Sequence, residues 1–191
     1  MSARAICEAA DMRATDTKQQ IVDAALGLVA ERGFSATSVD DIAAAAGVAK
    51  GSVFYNFGSK AGLFDSIISE GVGRLTAALR SAAEGLHGRD ALEALVTELL
   101  AQIEAHPNFA KLMAAESFRT GRSWQHAIQQ LRDESIGTFA DVVAEAWPER
   151  NALLAAAALF GATLLAGLEW LVFEPYRTLA EVREAVLATI A

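Results

Sequence analysis

The sequence predicts an all-α protein, and three observations carry that expectation. Apolar residues recur at spacings of three and four along most of the chain, the period of one helix face. Proline, which interrupts helices, occurs only 3 times in 191 residues. Alanine-rich stretches supply helix interiors, while single glycines and Ser, Thr or Asn residues mark their ends. About nine helices are expected, grouped into an amino-terminal three-helix helix-turn-helix domain and a second helical domain.

Residues 1–13 are small and charged without a period and are expected to form a flexible leader. A first helix from about Thr17 to Arg32 carries the apolar stripe Ile21, Ala24, Ala25 and Leu28. Gly33 ends it and Phe34 packs behind the cap. Ser38 then caps a short helix, with Asp41 completing a capping box. Val39, Ile42, Ala43 and Ala46 form its inward face, and Gly47 stops it.

A second short helix restarts near Lys50. Val53 and Phe57 face inward, leaving Lys50, Ser52, Phe54, Tyr55 and Asn56 toward solvent. Two aromatics, a hydroxyl, an amide and a lysine on one exposed helix suit the major groove of double-stranded DNA. There the amide reaches base edges, the rings touch thymine methyls, and the hydroxyl and ammonium groups meet phosphates. The pattern predicts a helix-turn-helix from Ser38 to Phe57.

The run Gly47-Val48-Ala49-Lys50-Gly51-Ser52-Val53-Phe54-Tyr55-Asn56-Phe57-Gly58-Ser59-Lys60-Ala61-Gly62-Leu63-Phe64 resembles the signature of the tetracycline-repressor (TetR/AcrR) family. The resemblance extends from Thr17 to about Ile68, and three departures matter: Ala49 in place of a capping Ser, Phe54 of a Tyr, and Asn56 of a His. It implies that Ser52, Tyr55 and Lys60 position the DNA backbone. Lys50, Phe54 and Asn56 would approach bases beside Gly51, and Thr37 or Ser38 would touch phosphate. It also implies a homodimer on a roughly palindromic operator, with a small-molecule effector controlling its release.

Charge gives this reading little support. The chain carries a formal net charge of −8, and residues 1–70 hold six basic against nine acidic side chains. What favours DNA is local: Ala43 to Phe64 contains two lysines and no acid. Non-specific affinity should therefore be modest and steeply salt-dependent.

The fourth helix starts at Ser59 and carries Gly71 and Gly73, each a local softening or a site of close packing. A fifth helix runs from Asp90 to Ala105. After Pro107 a sixth is capped by Asn108, and a seventh spans about Ser123 to Ala146. Phe109, Met113, Glu116, Phe118, Trp124, His126 and Phe139 lie in this region and are the candidate effector-pocket residues. Apolar walls with a few polar groups are how ligand sites between helices are built.

Asn151 to Leu168 carries no charge. Its length reaches that of a membrane span, but its Ala and Gly content and acidic flanks favour a helix covered on both sides, one cover being a second subunit. Thr178 and Glu181 form a capping box for the last helix. The residues assigned to the dimer interface are Gly161, Leu164, Gly167, Leu168, Val182 and Val186. The domain boundaries expected are 14–75 for DNA binding and 76–191 for effector binding and dimerisation.

One cysteine, Cys7, excludes an internal disulfide and fits a reducing compartment. No secretory pattern opens the chain, and a cytoplasmic location is expected. His87, His106 and His126 are about twenty residues apart without ligand spacing, so no metal is expected, and no cofactor or catalytic motif is implied. A DNA-binding transcriptional regulator, most simply a repressor, is the expectation. The alternative is a helical ligand-binding or interaction protein that does not bind an operator.

Overall fold

The structure is a computed structural model. It describes residues 3–189 except Phe118, Thr120 and Arg122, and side chains from Asp16 onward. Among the described residues all regular structure is helical. The chain divides into two compact units, Met1–Ile67 and Ile68–Ala191.

The smaller unit holds α1 (Ala3–Arg32), α2 (Val39–Ala46), α3 (Lys50–Phe57) and the start of α4 (Lys60–Ala83). Helix α1 begins at Ala3, well before Thr17, so most of the expected leader is helical backbone. The reason is propensity: residues 3–16 contain no Gly or Pro and five alanines. From α1, Ile21, Ala25 and Val29 are buried at intervals of four. They share this unit with the buried Ile42 and Ala43 of α2, Val53 of α3, and Leu63, Phe64 and Ile67 of α4. Phe34 closes the unit edge-on to Phe64, with ring centroids 5.1 Å apart.

In the larger unit the rest of α4 is joined by α5 (Gly88–Ala105), α6 (Pro107–Glu116), α7 (Gln125–Leu131), α8 (Gly137–Ala146), α9 (Ala152–Phe173) and α10 (Leu179–Ala188). Helices α7 and α8 are one run joined by a π turn, Arg132–Ile136. With that run counted once, there are nine continuous helices among the described residues. Pro107 opens α6 at its first position, with His106 and not Asn108 as the cap; proline's fixed φ and missing N–H suit that place.

Helix α5 is the centre of this unit and packs against α6, α8, α9 and α10. Its buried Leu92, Leu95, Val96, Leu99 and Leu100 meet Phe139 and Val143 of α8, Phe160 of α9 and Val186 of α10. Trp170 fixes the chain after α9 by donating from its indole N–H to the carbonyl of Arg177, at 2.9 Å.

Both sequence-predicted capping boxes are present, Ser38–Asp41 on α2 and Thr178–Glu181 on α10. The Ser38 hydroxyl, then the Ser38 amide, holds the Asp41 carboxyl below its ordinary value of 3.8. A depressed carboxyl stabilises the fold above its ordinary range, and that contribution is lost as pH falls through the lowered value. Ser38→Ala should cost about 1 kcal/mol of stability, read as a lower urea midpoint at unchanged slope.

The two glycines of α4 differ. The helix passes through both without interruption. Gly71 is buried, and a Cβ there would lie 2.3 Å from Cε2 and Cζ of Phe109, whereas Gly73 has open space around it. Gly71 is thus a packing glycine against α6. Gly71→Ala should destabilise by about 1–3 kcal/mol, and Gly73→Ala should stabilise by about 0.5–1 kcal/mol. Chemical denaturation of the two single variants separates them by sign.

Candidate nucleic-acid interface and cavity

The turn between α2 and α3 is built by the backbone. Gly47 takes the left-handed conformation at φ 67°, and Val48 N–H returns to the Ala43 carbonyl at 3.0 Å. Val53 is fully buried and anchors α3, so its other face turns outward. Phe54 is 43% exposed and Tyr55 91% exposed. Two exposed aromatic rings on an eight-residue helix bring little to the core beneath them.

Around them the predicted contact residues divide. Lys50 and Gly51 are exposed, and Lys50 pairs with Asp40 on α2 at 3.0 Å, a solvent-exposed pair that a phosphate could replace. Ser52 is half-buried. Asn56 turns its amide back to the Ser52 carbonyl at 2.8 Å, so reading a base requires that bond to open. Ser38 is exposed, but its hydroxyl serves the cap.

Two predicted phosphate contacts are engaged inside the domain. Thr37 is 2% exposed and donates its hydroxyl to the Gly33 carbonyl at 3.0 Å. Lys60 donates to the Phe34 carbonyl at 2.5 Å, and its ammonium lies 4.0 Å from the Phe34 ring centroid. The carbonyl and the ring face supply what water or phosphate would. Both residues tie the α1–α2 loop in place.

The larger unit contains a cavity of about 60 Å³ walled by α4, α5, α6, α7 and α9. Of the seven predicted pocket residues, Phe109 and Met113 line it. Phe139 is instead a core residue packed edge-on to Phe160, Trp124 is buried outside the cavity, and His126 is exposed. Glu116 is buried with Arg119 3.4 Å away, and Phe118 lies outside the described residues. Sequence reasoning missed Arg74, Gln102, His106 and Leu131. A lone arginine following Gly71, and a histidine at the break before Pro107, were the available signals.

The proposed dimer residues also divide. Gly167 packs on Ile103 and Leu100 within the chain, and Val182 and Val186 belong to the subunit core. Leu164 is half-buried and lines the cavity, and Leu168 is half-buried against the core. Gly161 is exposed with open space around it. The outer face of α9 carries Leu154, Ala158, Gly161, Leu165 and Val172, all exposed, at spacings of three, four and seven. By length and composition α9 could cross a membrane. Its inner face, with Ala156, Leu159, Phe160 and Trp170, is core.

Among the described residues, α2 and α3 form a capped helix-turn-helix with an exposed aromatic pair. More narrowly, residues 21–67 match the bacterial regulatory proteins of the tetR family, a stretch shorter than half of the chain. The HTH-type transcriptional repressor KstR2 of Rhodococcus jostii is 42% identical over 89 residues, 46% of this chain and 44% of that protein. The match thus spans less than half of that curated relative. Among solved structures, ketosteroid regulator KstR2 of Mycobacterium tuberculosis aligns with a TM-score of 0.77 at 21% identity, covering 91% of this chain and 92% of that one. FadR of Bacillus subtilis, solved with stearoyl-CoA, aligns with a TM-score of 0.74 at 20% identity, covering 89% and 95%. At such identities these two likenesses show a shared fold.

Proposed function

We propose that this protein is a ligand-responsive transcriptional regulator, a cytoplasmic repressor that holds a two-fold operator as a homodimer and leaves it when a small molecule binds. The observation that carries the reading is the outward pair Phe54 and Tyr55 on α3, anchored from behind by Val53. Exposed aromatics cost solubility, and a groove lined by thymine methyls and phosphates accounts for them. The repressor name of the Rhodococcus relative supports the direction of control. The cavity supports an effector, and the outer face of α9 supports a second copy of the chain. The family and the absence of a motif for chemistry in the sequence support a binding protein over an enzyme.

A gel-shift with DNA from upstream of the protein's own coding region tests this. Retardation should be sequence-specific, be lost by competition with the same DNA only, and weaken steeply with salt. Specific retardation absent at low salt would leave the helical ligand-binding protein as the reading.

A further inference from the structure

The buried lining of the cavity in the larger unit is wholly apolar. Leu99, Ile103, Phe109, Met113 and Leu131 form its depth and are buried, while Arg74 and His106 line it and are exposed. No acidic residue lines it, although the chain has 24 acidic against 16 basic side chains. Gln102 donates from its amide nitrogen to Glu98 at 2.8 Å, and Ser117 donates its hydroxyl to the Met113 carbonyl at 2.5 Å. The pKa of His106 is lowered, first by burial and then by the charge of Arg74, which favours its neutral form. The fixed charge at the mouth is therefore the guanidinium of Arg74.

We propose that this cavity takes an amphiphilic anion, with its apolar body in the depth and a carboxylate or phosphate head at Arg74. The inference deepens the effector reading above and rests on it. A guanidinium offers paired N–H donors that match a carboxylate or phosphate edge. A neutral or cationic amphiphile of the same body forgoes that pairing. About 60 Å³ holds only two waters or so, so the apolar body must displace side chains. Met113 is unbranched and adaptable. Leu131 immediately precedes the π turn, an irregularity of the kind found where helices change register. In that turn the Ser135 hydroxyl lies 3.2 Å from the hydroxyl of Thr76, both buried, so displacement of Leu131 reaches the helix that carries Arg74.

Calorimetric titration with dodecanoate, dodecyl phosphate, dodecanol and dodecylamine, all below micelle formation, tests the inference. Both anions should bind about tenfold or more tighter than dodecanol, the size of a charge-assisted pair, and dodecylamine most weakly. The better of the two anions identifies the head group. Arg74→Gln should bring the anions down to dodecanol while leaving dodecanol unchanged. Ala110→Leu, whose added carbons fill the void, should weaken every probe. Equal affinity for all four probes, binding of none, or an anion preference that survives Arg74→Gln overturns the proposal. A parallel gel-shift keeps the two readings apart. Unliganded protein that retains no upstream DNA sinks the regulator reading alone. Retention of DNA with charge-blind binding sinks the anion inference alone.

Discussion

Leu165→Arg is expected to convert the proposed dimer into a well-folded monomer and to lower affinity for its proposed operator by two to four orders of magnitude. The first half follows from exposure. Leu165 is 70% exposed in the single chain, so an arginine there costs the subunit little. In a two-fold interface the same patch meets itself, and each arginine would face the other chain's apolar seam. An uncompensated buried charge costs about 3–5 kcal/mol, which weakens a dimer by at least about a hundredfold. The second half follows from linkage. Two recognition helices on one particle engage the second half-site at high effective concentration, a gain of about 10²–10⁴ that a monomer forfeits. Sedimentation equilibrium with a thermal melt checks this. A variant that keeps its melting point and loses half its mass supports the α9 seam; an unchanged dimer places the interface on another face.

This prediction moved by one residue from what the sequence alone suggests, and the reason is physical. An uncharged helix such as Asn151 to Leu168 has no polar stripe to announce which side faces out. Leu164 and Leu165 are chemically the same, and only the packing of α5 and α6 against α9 decides that Leu164 turns in. The sequence assigns Gly167 to the dimer interface. Its close neighbours are the side chains of Ile103 and Leu100 in the same chain. Helix ends, by contrast, were legible because their causes are local. Ser38 with Asp41, Gly47, and Thr178 with Glu181 each cap through bonds to residues within a few positions. The pocket was half legible: Phe109 and Met113 advertise apolar wall, but Arg74 on α4 and His106 at the break between α5 and α6 reach the cavity through long-range packing. Thr37 and Lys60 show the remaining gap. A motif match fixes which residue stands where, and not whether its polar group is already taken.

Lys60 and Phe54 turn that gap into a measurement. The resemblance implies that Lys60 binds a phosphate, so its loss should flatten the salt dependence of DNA binding by about one ion. The structure places its ammonium on the Phe34 carbonyl and over the Phe34 ring, which implies a different outcome. A charge-assisted hydrogen bond contributes about 1.5–3 kcal/mol, and a partly exposed cation–π contact about 0.5–1 kcal/mol. Part of this is screened by solvent, leaving about 2 kcal/mol of domain stability. Lys60→Ala should therefore lower the urea midpoint and leave the slope of log affinity against log salt unchanged. Phe54→Ala should do the reverse. Its ring is 43% exposed and supports little of the core, so the midpoint should barely move. Operator affinity should fall by about 1–3 kcal/mol, the scale of one good base contact, while affinity for unrelated DNA stays the same. Both variants are read in one pair of experiments, denaturation and a salt titration on operator and non-operator DNA. A Lys60→Ala protein with unaltered stability and a slope shallower by one ion would return the lysine to the phosphate backbone. A Phe54→Ala protein that holds its operator like the parent at physiological salt would mean that α3 does not present this face to the groove.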